Sequence, residues 1–289
     1  MIIRCLARRP AVFQSIAASA SRTPLLARSN HTVPSLANHG DLQERGVPGL
    51  LSPKGFQVAY TDYQGHIVEQ LNQVTAGKPW ENLDTKSLVI ELARDPARAY
   101  DFNVASMAFN NHFFFRGLNA NPNVQSRMSS DLELQIKKDF SSLDTLRAEF
   151  LAIAEAMFGP GFVWLVQAND KLRILPTYLA GSPLSGAHYR RQSEDKTTQN
   201  ADSQQAVNKV GSFGNAALQK PQGPKKPLGG VDIVPLLCIN TWEHVWLQDY
   251  GVKGKRKYLE AWWNSIDWDL VRQNVTITQD NSSKKFYYS

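Results

Sequence analysis

The chain has 289 residues, 42% of them hydrophobic, enough for one large domain or two small ones with a real apolar core. Its formal charge of +6 invites a nucleic-acid reading, but the excess is local: residues 1–40 hold Arg4, Arg8, Arg9, Arg22 and Arg28 and no acidic residue. Without those five the body carries about one net positive charge, and no apolar run approaches the ~18 residues of a helical membrane span.

The N-terminal stretch is Arg-bearing, free of acids and rich in Ala and Ser, and it lacks the continuous apolar core of a secretory signal. This is the composition of a mitochondrial transit peptide, assigned to residues 1–36 with cleavage between Arg28 and Leu36. A basic arm retained on the protein is the alternative. The expected destination is the mitochondrial matrix. Of the two cysteines, Cys5 falls in this stretch, so an intramolecular disulfide is excluded from the mature chain. Cys238 lies in the apolar run Val234-Pro-Leu-Leu-Cys-Ile239 and reads as a buried small hydrophobe, not a nucleophile.

From Gly55 to Thr75 the apolar positions Phe56, Val58, Ala59, Tyr63, Ile67 and Leu71 predict an amphipathic helix, ended by Ala76-Gly-Lys-Pro79. A second helix is predicted over Asp84 to Arg94. A third runs from about Ala97 to Gly117 and is apolar on more than one side, which makes it central. Asn119-Ala-Asn-Pro-Asn-Val is a loop, and a domain boundary is placed there, between residues 37–120 and 121–289. Ser129 to Phe140 and Ser142 to Met157 read as helices, the second with an N-capping serine. After the breaker Phe158-Gly-Pro-Gly, the runs Phe162–Val166 and Leu172–Leu175 form an antiparallel hairpin around Asn169-Asp170. Residues 186–230 are dominated by Gln, Asn, Ser, Lys, Gly and Pro, and are read as a polar insertion too poor in apolar surface to order alone. Val231 to Ile239 supplies a third strand, and Tyr258 to Asn264 and Trp268 to Asn274 are helical.

Four segments in order carry a resemblance: Asn111-His-Phe-Phe-Phe, Phe158-Gly-Pro-Gly-Phe-Val-Trp-Leu, Ala180-Gly-Ser-Pro-Leu, and Asn240-Thr-Trp-Glu-His244 with the aromatic tail Lys257-Tyr-Leu-Glu-Ala-Trp-Trp. Together they resemble the iron/manganese superoxide dismutases over roughly Gly55 to Asn274, apart from the insertion. The resemblance implies an α+β fold: an N-terminal α-helical hairpin, then a C-terminal domain with a three-stranded antiparallel sheet. It also implies a redox metal held by three His and one Asp, a donor set that suits Mn or Fe.

On that resemblance the ligand positions fall on Ala59, His112, Asn240 and His244, so two are kept and two lost. His66 lies seven residues after Ala59, about 10 Å along a helix, and cannot fill the vacancy. His39 and His188 have no spacing in their favour. The surrounding shell departs as well: Ile67 stands where the family has a funnel Tyr, Tyr63 where it has a His, and Ala108 and Ala180 at the two places that can supply a Gln. No catalytic residue, cofactor or metal is therefore expected. For His112 the favoured reading is a packed core residue.

Degenerate members of the family are known as small-subunit proteins of fungal mitochondrial ribosomes, paired as heterodimers. The resemblance thus implies a structural component of that subunit, with Glu243 and His244 at the dimer interface and mitochondrial ribosomal proteins and rRNA as partners. Lys253, Lys255, Arg256 and Lys257 are candidate rRNA contacts through phosphate neutralisation, with a solvated loop as the alternative. Two other classes stay open: a matrix Mn/Fe superoxide dismutase with altered ligands, and a binding module that uses the old funnel for a small ligand.

Overall fold

The computed structural model describes residues 31–93, 95–121, 126–168, 171–185, 187 and 233–275. The insertion apart from Ala187, all of the arginine-rich stretch before His31, and His188 lie outside the described residues.

Two of the earliest elements are short: α1 (His39–Arg45) and α2 (Pro53–Phe56). From α2 the chain continues without a break through a π-helical stretch, Gln57–Asp62, into α3 (Tyr63–Thr75). Next come α4 (Thr85–Leu92), a 3₁₀ turn at Pro96–Arg98 and the long α5 (Ala99–Arg116). Then follow α6 (Ser130–Phe140), α7 (Leu143–Ala156), β1 (Gly161–Ala168), β2 (Lys171–Tyr178) and β3 (Ile233–Asn240). The chain closes with α8 (Glu243–Tyr250), α9 (Lys255–Asn264) and α10 (Trp268–Asn274).

Helix starts follow local side-chain chemistry. Ser52, Asp84, Ser129, Ser142 and Asp267 each accept a hydrogen bond from a backbone N–H in the first turn that follows, which satisfies a donor the helix leaves unpaired. Two helices were not predicted. In α1 only Leu42 is buried, and in α8 the buried pair Val245 and Trp246 is adjacent, so neither presents a repeat at helical spacing.

The sheet is antiparallel in the order β2-β1-β3, with every residue of β1 buried. Trp164 pairs with Leu175 on one side and Cys238 on the other. Its indole packs on Phe113 of α5 at 5.5 Å between ring centroids and donates to Thr177 Oγ1 at 2.9 Å. The two prolines of the sheet, Pro176 and Pro235, fall on its outer strands, where a missing N–H is tolerated. Cys238 is buried, as expected, and burial pushes its thiol well up.

The two halves are joined at several points. Ser52 donates through its N–H (2.8 Å) and its hydroxyl (2.6 Å) to Asp249 of α8, and Tyr250 Oη donates to Leu50 O (2.7 Å). At the proposed boundary, Asn119 N donates to Ser265 O and Asp267 N to Gly117 O.

Residues 31–36 pack on this body. Asn72 of α3 accepts from His31 N and donates to His31 O, both at 2.9 Å; Tyr60 Oη donates to Pro34 O at 2.8 Å; and Leu36 is buried.

Candidate functional site

The π stretch, α3, α5, the end of β3 and the start of α8 converge on one buried centre. Ala59 lies in the π stretch, a helix form that occurs mostly as local insertions at functional positions. It is wholly buried and offers only a methyl group and its carbonyl oxygen. Asn240, also wholly buried, is the last residue of β3. Its Oδ1 accepts from Trp242 N at 2.9 Å and its Nδ2 donates to Asn111 Oδ1 at 3.1 Å. Asn111 Nδ2 in turn donates to Gln64 Oε1 at 2.9 Å and to Ala59 O at 3.3 Å.

These contacts single out one residue of α5. The residue that meets both Asn240 and Ala59 is Asn111, not His112. Neighbouring positions on an α-helix are about 100° apart, so His112 faces another way. Its Nδ1 lies 3.0 Å from Tyr60 Oη. The tyrosine's single proton goes to Pro34 O, which only accepts, so His112 Nδ1–H is the donor to the phenol oxygen. Burial, with a smaller push from Arg116, lowers the pKa of His112 to about 4, so it is neutral at pH 7. His112 is a half-buried histidine that ties α5 through Tyr60 to the N-terminal segment.

His244 sits in the first turn of α8, stacked on Tyr63 with centroids 4.0 Å apart and planes inclined by 20°. Burial lowers its pKa to about 4 and pushes Tyr63 up to about 12. Its Nε2 is buried with no hydrogen-bond partner among the described residues, while the adjacent Glu243 is exposed.

This donor set does not fit Mn or Fe. The side-chain oxygens of Asn111 and Asn240 are both engaged by N–H groups, and an amide nitrogen has no lone pair to give. Ala59 has no side-chain donor, which leaves two imidazoles, His112 and His244, where the family's set needs three and a carboxylate. Among the described residues, no group of three or more His, Cys, Asp or Glu is placed to hold a metal ion. His66 is exposed, in keeping with its distance along the helix.

Gln64, which the sequence reading passed over, is 1% exposed and donates to Ala108 O at 2.9 Å. An amide does reach the centre, then, but from α3 and not from either position now occupied by Ala108 and Ala180. The available signal was a polar residue on the buried side of an amphipathic helix, one turn before Val68.

The basic segment is only partly free. Lys255 Nζ donates to Glu155 O (3.3 Å) and Met157 O (2.9 Å) at the end of α7, and burial lowers its pKa. Arg256 pairs with Glu155 (2.7 Å) and Glu260 (2.8 Å). Both cations thus make two bonds each within the fold.

A helical hairpin, a three-stranded antiparallel sheet and a centre where Ala59, Asn111, Asn240 and His244 converge define a superoxide dismutase-like protein whose metal centre is dismantled. Residues 128–191 and 199–274 match the iron/manganese superoxide dismutase C-terminal domain. The chain belongs to the iron/manganese superoxide dismutase family. It is similar to the small ribosomal subunit protein mS43 of Schizosaccharomyces pombe, 26% identical over 85% of this chain and 84% of the relative. To the small ribosomal subunit protein mS42 of the same organism it is 30% identical, over 68% and 75%. The iron superoxide dismutase of Babesia bovis is 24% identical over 78% of this chain and 87% of the relative.

Proposed function

We propose that this chain is a structural protein of the mitochondrial small ribosomal subunit, resident in the matrix, and not a dismutase. The observation that carries the reading is the centre itself: of the four positions that would hold the metal, Ala59 presents a methyl group and Asn240 a hydrogen-bonded amide, so only His112 and His244 remain and no carboxylate is supplied. The similarity to mS43 and mS42 over most of the chain supports the ribosomal assignment. An altered-ligand dismutase would need donors that these side chains do not offer.

Pairing with a second superoxide dismutase-like protein belongs to the same proposal. Glu243 is exposed, His244 Nε2 is buried and unpartnered among the described residues, and Phe158, in the loop before β1, is 98% exposed. An exposed phenylalanine, a charged residue and an unsatisfied imidazole are residue types found in an interface core with a polar rim. In such a pair the Glu243 carboxylate of one subunit meets the other's histidine. Lys253 and Lys257 are the cations of the basic segment assigned to rRNA phosphate. A transit peptide over residues 1–36, cleaved between Arg28 and Leu36, belongs to the same proposal, and the contacts of His31, Pro34 and Leu36 with the folded body support cleavage near the start of that range.

The test is sedimentation of a gently lysed mitochondrial extract through a sucrose gradient, at working magnesium and again after subunit dissociation. Co-migration with small-subunit rRNA in both runs is expected. A free-dimer peak carrying stoichiometric Mn or Fe would overturn the proposal.

A further inference from the structure

We infer that the former metal centre has been rebuilt as a one-way relay of neutral amides that joins the two halves of the fold without a metal. Trp242 N–H donates to Asn240 Oδ1, Asn240 Nδ2 to Asn111 Oδ1, Asn111 Nδ2 to Gln64 Oε1, and Gln64 Nε2 to Ala108 O. Each amide accepts at oxygen and donates at nitrogen in the same sense. The relay therefore runs from the head of α8, across the end of β3, through α5 and α3, and back to α5. The second hydrogen of Asn111 Nδ2 reaches Ala59 O in the π stretch, so three separate stretches of chain, 59–64, 108–111 and 240–242, are held by one set of bonds.

The direction of the relay is settled by backbone groups that can act only one way. Trp242 N–H can only donate, so the atom of Asn240 facing it is oxygen. Ala59 O and Ala108 O can only accept, so the atoms of Asn111 and Gln64 facing them are nitrogens. None of the three amides is more than 1% exposed, and none leaves a side-chain atom without a partner. In a low-dielectric interior such a chain strengthens link by link, whereas a half-satisfied one is costly.

The relay accounts for Asn, and not Asp, at position 240. A carboxylate still accepts from Trp242 N–H, so the turn that opens α8 survives. It cannot donate to Asn111, and its second oxygen faces Asn111 Oδ1. Turning the Asn111 amide over to relieve that clash would forfeit its bonds to Gln64 and Ala59. Asn240→Asp, which would restore a carboxylate to a metal site, instead breaks the relay at one link.

The experiment is thermal unfolding of the purified full chain in EDTA and in excess Mn²⁺, for the wild type, Asn240→Asp and Gln64→Met. The wild type is expected to show one Tm in both solutions. Asn240→Asp is expected to lose about 4–10 °C, and added Mn²⁺ does not restore it. Gln64→Met, of similar volume, keeps the link from Asn111 to Ala59 but removes two links of the relay, so it too is expected to lower the Tm in both solutions, which retains a reading should the Asp variant not fold. A wild-type Tm raised by Mn²⁺ or lowered by EDTA would overturn the inference. So would an Asn240→Asp variant with wild-type Tm, or one rescued by Mn²⁺. Because the readout is made on isolated protein, the result is independent of whether the chain sediments with the ribosome.

Discussion

Acid should loosen this fold well before its carboxylates protonate. His112 and His244 both have folded-state pKa values lowered to about 4 from the ordinary 6.5. Above pH 6.5 neither state binds the protons, and stability is full. As pH falls below 6.5 the unfolded chain takes up two protons that the folded chain refuses, so unfolding gains until pH reaches about 4. At pH 5 the linkage amounts to roughly 2 kcal/mol per histidine, and discounting for the partial exposure of both rings leaves about 2 kcal/mol for the pair. Asp84, whose carboxyl Ser87 holds below its ordinary 3.8, contributes nothing in this window, because its stabilisation is lost only at lower pH. The seven tryptophans provide the signal for urea unfolding at pH 8, 6 and 5. The urea midpoint is expected to fall by about 1 M from pH 8 to pH 5. The double variant His112→Gln, His244→Gln should lose most of that dependence. A wild-type midpoint that does not move, or a double variant that falls as steeply as the wild type, would refute the reasoning.

Tyr60→Phe keeps the ring packing on Phe56 and Phe115 but strips the hydroxyl between Pro34 O and His112; a loss of about 2 kcal/mol in chemical denaturation is expected. Asn72→Ala should cost about 1 kcal/mol and, more tellingly, speed hydrogen exchange at residues 31–36, with unchanged protection there counting against the packed N-terminal segment. At Gly161 an added Cβ would collide with the carbonyl oxygen of Thr177 on the paired strand, so Gly161→Ala should lower stability by about 2 kcal/mol in thermal melts. Phe158→Glu should leave the Tm of the isolated chain unchanged while abolishing co-purification with a dismutase-like partner; retained pairing would remove Phe158 from the interface.

Much of this architecture was legible from periodicity and punctuation. The helices capped by Ser129 and Ser142, the hairpin after Phe158-Gly-Pro-Gly and the buried Cys238 all follow from rules that act over a few residues. The exact face of α5 was not legible. That helix is buried almost all round, so its apolar pattern has no preferred side and cannot say which of Asn111 and His112 looks at β3. The sequence reading favoured a packed role for His112, and only the partner strand shows that Asn111 is the residue that meets it. Gln64 was hidden for a related reason: its role depends on Ala108 and Asn111, more than forty residues away. The cations of α9 illustrate the same limit, since the residues that neutralise Arg256 include Glu155, a hundred positions earlier.

The outer strands bear on how such a protein can be held in a larger assembly. Pro176 deprives β2 of one donor and Pro235 does the same for β3, whose Leu236 carbonyl is already taken by Asn274 at 3.2 Å. Neither border is therefore a good template for a neighbour to extend the sheet, and the risk of indiscriminate strand-to-strand association is reduced at both. Recognition is left to side chains, whose shapes and charges differ from one partner to the next. A fold that cannot be joined through its backbone edges can be crowded among many proteins and still accept only the neighbour whose surface matches.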